Sequence, residues 1–187
     1  MNPVKIGLLG LGTVGSGTLN VLQRNAEEIA RRAGRGIVVS HASVRDRTRL
    51  EGLSTQDIRL SEDPRTVVDD PDVEVIVELI GGQEPAFELV MRAIENGKHV
   101  VTANKALVAL YGNEIFAAAQ RKGVMIAFEA AVAGGIPIIK SIREGLAGNH
   151  IRWLAGIVNG TGNFILSEMR DHGRDFADVL AEAQRLG

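Results

Sequence analysis

Lys5-Ile6-Gly7-Leu8-Leu9-Gly10-Leu11-Gly12-Thr13-Val14-Gly15-Ser16-Gly17 decides the fold of this chain. A short apolar run leads into Gly10-x-Gly12-x-x-Gly15, and a helical pattern follows. That order is the one a dinucleotide-binding strand–turn–helix unit requires. Gly10 permits the tight turn, Gly12 lets the backbone approach a pyrophosphate, and Gly15 lets the helix pack close on the strand. The free N–H groups of the turn and the positive end of the helix dipole then face the phosphates. Gly10, Leu11, Gly12, Thr13, Val14 and Gly15 therefore form the candidate cofactor turn. A glycine-rich turn without a ligand is the plain alternative.

Downstream, helical and strand patterns alternate. Thr13 to Arg32 has apolar residues at roughly helical spacing and ends at Gly34. Ile37 to Val44 reads as strand two, rich in β-branched residues. Thr48 to Asp70 is polar and reads as a loop with short helical pieces, one of them starting at Asp63-Pro64. Asp72 to Ile80 reads as the next strand, Pro85 to Asn96 as a helix, Lys98 to Thr102 as a strand, Leu107 to Lys122 as a helix and Val124 to Glu129 as a further strand. This βαβ succession gives an α/β fold, a Rossmann-type doubly wound parallel sheet, over residues 1–130. Residues 131–187 change character and read as the start of an α+β substrate or dimerisation domain. They offer a helix over 138–144, a strand over Ile151–Val158, a helix after Asn159 and another from Asp178, with too few strands to close a sheet alone.

Composition limits the functions open to such a fold. The chain has 187 residues, 45% hydrophobic and 24% charged, enough to bury a core. Its net charge of -2 and scattered Lys and Arg give no nucleic-acid footprint. Cysteine is absent, which excludes thiol catalysis and thiolate metal sites and fits a cytoplasmic location. No leader peptide and no membrane-spanning run are legible.

Ligands of a doubly wound sheet bind at the carboxyl ends of its strands. Strand two ends at Arg45-Asp46-Arg47. Two guanidiniums there can clamp a phosphate and lean to NADP; Asp46 could instead accept from the ribose hydroxyls of NAD, and ordinary solvated loop charges are a third option. Gly81 and Gly82 leave room for a cofactor ring, with Glu78 at the same edge. Thr102 and Lys105 close the strand at 98–102. Lys105 is the candidate catalytic residue, an ammonium able to hold a substrate oxygen while hydride moves. A helix start is a poor place for a cation, which itself points to function. Glu129 with the backbone of Ala130–Ile136 is an oxygen-only donor set suited to a hard cation, or simply a turn. Asn159-Gly160-Thr161-Gly162-Asn163 is a polar helix start that either holds a small ligand or caps the helix.

These stretches resemble homoserine dehydrogenase. The resemblance rests on Gly10–Gly15, on Val101-Thr102-Ala103-Asn104-Lys105-Ala106-Leu107, on Phe128-Glu129-Ala130-Ala131-Val132-Ala133-Gly134-Gly135-Ile136-Pro137, and on Gly156–Asn163. It implies NAD(P)-dependent interconversion of L-homoserine and L-aspartate 4-semialdehyde, on the route to threonine, methionine and isoleucine. It also implies a homodimer when complete. By position, Lys105 resembles the family lysine that contacts cofactor and substrate. Glu129 with the backbone of Val132, Gly134 and Ile136 resembles its sodium site. Gly160 and Thr161 resemble part of its substrate pocket.

The family runs longer than this chain, and its second catalytic lysine, the aspartate partner of that lysine and an acidic substrate-binding residue lie further downstream. No lysine follows Lys140. The resemblance therefore implies a truncated chain that binds cofactor and turns over homoserine poorly or not at all. The rival readings are another aldehyde or sugar dehydrogenase of the same fold, and a nucleotide-binding module without catalysis.

Overall fold

The computed structural model describes residues 2–186, excluding the side chain of Arg49. It forms two compact units, the first ending at Arg143 and the second beginning at Glu144.

The first unit is a six-stranded sheet, with every neighbouring pair parallel. Its strands are β1 (Val4–Leu9), β2 (Ile37–Ser43), β3 (Arg59–Ser61), β4 (Val75–Glu78), β5 (His99–Thr102) and β6 (Ile126–Ala127), in the order β3-β2-β1-β4-β5-β6. The chain reverses its direction of winding between β1 and β4, and this switch point opens the crevice in which such sheets bind ligands. The helices are α1 (Thr13–Arg24), α2 (Ala26–Ala33), α3 (Pro64–Val68), α4 (Ala86–Glu95) and α5 (Lys105–Lys122), followed by the short α6 (Ile138–Lys140).

Both sheet faces are covered, so the central strands β1 and β4 are mainly apolar rather than alternating. Along β1, Ile6 and Leu8 point to a cluster with Leu19 of α1, Val39, Ala42 and Val77. Leu9 points the other way, to a cluster with Val67 and Val68 of α3, Ile76, Leu89 of α4 and Leu107 of α5. Gly7 faces that second side, where a Cβ would lie 2.7 Å from the Val67 side chain; α3 therefore sits directly on β1.

Several elements differ from the sequence reading. The first helix breaks at Asn25, whose backbone N–H returns to Gln23 and Val21 and closes α1. The loop over 48–70 contains β3, a strand at the sheet edge, and Asp46 caps a short 3-10 turn over Arg47–Leu50. Strand β6 is only Ile126–Ala127, and Glu129 lies in a 3-10 turn. The first compact unit runs on to Arg143, and within it the Glu129 carboxylate accepts from the backbone N–H groups of Ile139 and Lys140.

The second unit holds α7 (Gly160–His172) and α8 (Phe176–Leu186), packed through Ile165, Val179 and Ala183. Arg174 bridges Glu168 and Glu182 at 3.0 and 2.7 Å. Ile151–Val158 is not a strand. Among the described residues the second unit contains no strand to pair with it, and without a partner its N–H and C=O groups form no ladder. Its side chains stand in solvent, Trp153 being 79% and Val158 92% exposed.

Candidate functional site

At the carboxyl ends of β1, β2 and β4 the sheet opens into a cleft of about 580 Å³. One wall is the turn Gly10-Leu11-Gly12. A second is Ser43 to Asp46 after β2, a third is Leu79 and Ile80 after β4, and Glu62, Pro64 and Pro85 complete the rim.

The turn owes its shape to its glycines. Gly10 has φ +96°, a left-handed conformation, and a Cβ there would approach the Leu79 carbonyl to 3.2 Å. At Gly15 a Cβ would lie 2.0 Å from the Gly10 carbonyl, so only glycine lets α1 begin this close to β1. The Gly10 N–H is anchored by the backbone carbonyl and hydroxyl of Ser43, each at 3.2 Å. Leu11 turns its side chain into the core, while Thr13 and Val14 are exposed on the first turn of α1.

Helix α1 differs from its counterparts at the N-terminus. Asp63 caps α3, Asn104 caps α5 and Asn159 caps α7 through their side chains. Helices α2 and α4 lack such a cap but carry Glu27, Glu28 and Glu88 in their first turns. Helix α1 has neither a side-chain cap nor an acidic first turn. Its N–H groups and dipole are left for an external anion.

The charged group of strand two is divided between tasks. Arg45 and Asp46 line the cleft. Arg45 has no ion-pair partner among the described residues. Asp46 Oδ1 accepts from the Thr48 N–H at 3.1 Å and from the Thr48 hydroxyl at 2.6 Å, so part of its carboxylate holds the following turn. Arg47 Nε is 3.7 Å from Glu62 Oε1 at the rim.

The ends of β4 and β5 are joined by a buried polar network. Glu78, wholly buried, accepts from the N–H groups of Ile80 and Gly81 through Oε1, and from the Thr102 hydroxyl through Oε2 at 2.6 Å. The same hydroxyl accepts from the Asn104 N–H at 3.0 Å. Asn104 Nδ2 donates to the Gly82 carbonyl at 2.6 Å, and its Oδ1 caps α5 at Leu107. The Thr102 hydroxyl is thus engaged within the chain, donating to Glu78 and accepting from Asn104. Gly81 and Gly82 follow Ile80 in left-handed conformations, pinned by Glu78 and Asn104. Lys105 is the first residue of α5, exposed and without an ion-pair partner among the described residues.

Glu129 caps α6, with both oxygens 2.9 Å from backbone nitrogens. The loop after it curls through Ala133, at φ +48°, and Gly135, at φ +83°. Val132 and Gly134 lie within this curl, and the Ile136 carbonyl accepts from the Ile138 N–H. No cluster of three or more His, Asp or Glu suited to a metal occurs among the described residues. In the second unit Gly160 and Thr161 form the exposed first turn of α7, and the Asn159 side chain accepts from the Gly162 N–H.

Sequence reasoning missed Ser43, Glu62, Pro64 and Pro85. Strand pairing brings them to one rim from separate stretches, and none stands in a motif. No helix among the described residues is long and apolar enough to cross a membrane.

Comparison with known proteins gives a consistent answer. The family model described as "Homoserine dehydrogenase, NAD binding domain" matches residues 10–129, and one described as "Homoserine dehydrogenase" matches residues 137–187. A homoserine dehydrogenase of Pseudomonas aeruginosa is 66% identical over all of this chain, and that of Bacillus subtilis 42%; in each case the chain spans 43% of the relative's length. The crystal structure of a homoserine dehydrogenase from Thiobacillus denitrificans superposes with a TM-score of 0.93 at 69% identity, over the whole of this chain and 43% of that one. A hyperthermophilic archaeal homoserine dehydrogenase in complex with NADPH superposes at 0.82 with 28% identity, over the whole of this chain and 62% of that one.

Proposed function

This chain belongs to the homoserine dehydrogenase family, and on that footing we propose that it is the cofactor-binding part of an enzyme that interconverts L-homoserine and L-aspartate 4-semialdehyde. The observation that carries the reading is the uncapped, acid-free first turn of α1 at the switch point of the sheet. A pyrophosphate satisfies N–H groups there that the chain itself leaves unpaired. When bound, the nicotinamide supplies hydride exchange with the carbon that is alcohol in homoserine and aldehyde in the semialdehyde.

The chain's own groups orient and stabilise. Arg45 lines the cleft without an ion-pair partner among the described residues, and as the contact to the adenosine ribose it favours NADP through the ribose phosphate, with Arg47 as second cation. Gly81 and Gly82 offer backbone against which the ribose and ring rest. Lys105 holds the substrate oxygen. Its charge stabilises negative charge developing on that oxygen, and the helix dipole behind it raises the electrophilic character of that spot. Gly160 and Thr161 supply backbone and hydroxyl groups to the substrate.

Glu129 and the carbonyls of Val132, Gly134 and Ile136 fit a hard monovalent cation such as sodium. The donor set is all oxygen, and a carboxylate has acceptor capacity beyond one bond per oxygen. Such an ion would hold the loop rather than take part in the chemistry.

The exposed apolar residues Ile151, Trp153, Leu154, Ile157 and Val158 support burial against another surface in an assembled homodimer. Membership of the homoserine dehydrogenase family supports a role in threonine, methionine and isoleucine synthesis, carried out in the cytoplasm.

Calorimetric titration of the chain with NADPH and with NADH tests the reading. Binding of NADPH more tightly than NADH is expected, with loss of that preference in the R45A variant. Binding of neither dinucleotide would overturn it. Homoserine-dependent reduction of NADP is expected to be slow or absent in this chain. In an extended enzyme, K105A should retain cofactor binding and lose turnover.

A further inference from the structure

Glu62 stands at the adenosine rim and is not used in the reading above. It follows β3, which the sheet places beside β2, and its side chain lines the cleft with Arg45 and Asp46. Its backbone is well fixed. Next to it the Ser61 hydroxyl accepts from the Asp63 N–H at 3.2 Å, and Asp63 caps α3 at Arg65. The backbone thus keeps this residue at the rim, with its side chain 71% exposed.

Among the described residues its one ion-pair partner is Arg47, at 3.7 Å. The pair is single-pronged, and both side chains are about two-thirds exposed. Such a pair is too weak to orient Arg47 for a ligand. Charge, not orientation, is what Glu62 contributes here.

Building on the cofactor reading, we propose that Glu62 is a specificity residue that disfavours the ribose phosphate of NADP and leaves NAD unpenalised. A phosphate entering beside Arg45 and Arg47 takes Arg47 as a partner, because a dianion binds a guanidinium better than an exposed carboxylate does. Glu62 is then left unpaired next to two like charges. The free ribose hydroxyl of NAD is neutral and can donate to a carboxylate, so it meets no such repulsion. Like charges a few ångströms apart in near-aqueous surroundings alter binding by about five-fold.

The test is calorimetric titration of the 187-residue chain and its Glu62→Gln variant with NADPH and NADH at one moderate ionic strength. Glu62 is exposed and outside the core, so the variant folds. The expected result is an NADPH Kd about five-fold lower in E62Q with the NADH Kd changed by less than about two-fold, the difference shrinking at high salt. If the parent chain binds the dinucleotides and E62Q leaves their Kd ratio unchanged, or moves it toward NADH, the role of Glu62 is overturned and the cofactor reading stands. If the parent chain binds neither, both fall together.

Discussion

The Thr102 hydroxyl lies 2.6 Å from Glu78 Oε2, linking the ends of two neighbouring strands where both are buried. Around this one contact, Glu78 fixes Ile80 and Gly81 while Thr102 fixes Asn104, and Asn104 reaches Gly82 and caps α5. A buried network of this kind is favourable only when every member is satisfied.

Thr102→Val keeps the shape and removes the hydroxyl. It leaves a buried carboxylate oxygen without its donor and the Asn104 N–H without its acceptor. The expected loss is about 1–3 kcal/mol, read as a lower urea midpoint with unchanged slope. Thr102→Ser should restore most of it. A T102V midpoint equal to the parent's would show that the network does not hold these strand ends.

Gly15→Ala places a Cβ about where the Gly10 carbonyl already is, at 2.0 Å. The helix must retreat from the strand. Overpacking of this severity costs at least about 1–3 kcal/mol, and the displaced N–H groups should also weaken NADPH. Thermal melting and titration of the same variant would show both losses. Retention of full affinity would mean that the turn does not hold the pyrophosphate.

Burial holds the His41 imidazole below its ordinary pKa, with Arg59 acting in the same direction and Asp70, 2.9 Å away, opposing it. Burial pushes the Asp70 carboxyl up, but the Asp72 N–H, His41 and Arg59 outweigh it and leave it below the ordinary carboxylate value. The folded chain therefore resists protonating His41. As pH falls below about 6.5 the unfolded chain takes up that proton first, and stability declines until the folded imidazole titrates as well. The slope is at most about 1.4 kcal/mol per pH unit for one proton. Asp70 adds a second loss below about pH 4. Urea midpoints measured between about pH 7 and 5 should fall in the parent and lose that slope in His41→Asn. A flat parent profile would refute the assignment.

The single tryptophan, Trp153, is 79% exposed in the Ile151–Val158 segment. Its fluorescence should resemble indole in water and be quenched by acrylamide nearly as readily as free tryptophan. A blue-shifted, protected emission would mean that the segment is covered in solution, as strand pairing or self-association would cover it.

The glycine turn and the helix–strand alternation were legible in the sequence because local requirements dictate them. The left-handed turn at Gly10 and the close approach of Gly15 to the Gly10 carbonyl both lie within fifteen residues of chain, and Asp63, Asn104 and Asn159 stand at helix starts where their side chains cap. Elements that depend on distant partners were not legible. Arg59-Leu60-Ser61 has no apolar run, and it is a strand only because β2 lies beside it. Ile151–Val158 has the composition of a strand and, among the described residues, no strand partner, so it is not one. Glu62 escaped notice for the same reason: nothing near it in sequence indicates that Arg45 and Arg47 lie across the sheet edge.

The bare first turn of α1 also affects how long the protein survives. A helix end that the chain does not satisfy by itself is completed by whatever anion occupies the cleft, so occupancy enters the folding equilibrium by mass action. At roughly a hundred-fold excess of dinucleotide over its Kd the folded state gains about 2.7 kcal/mol. Resistance to proteolysis should then follow the nicotinamide supply, with the chain persisting when dinucleotide is plentiful and cleared when it is scarce.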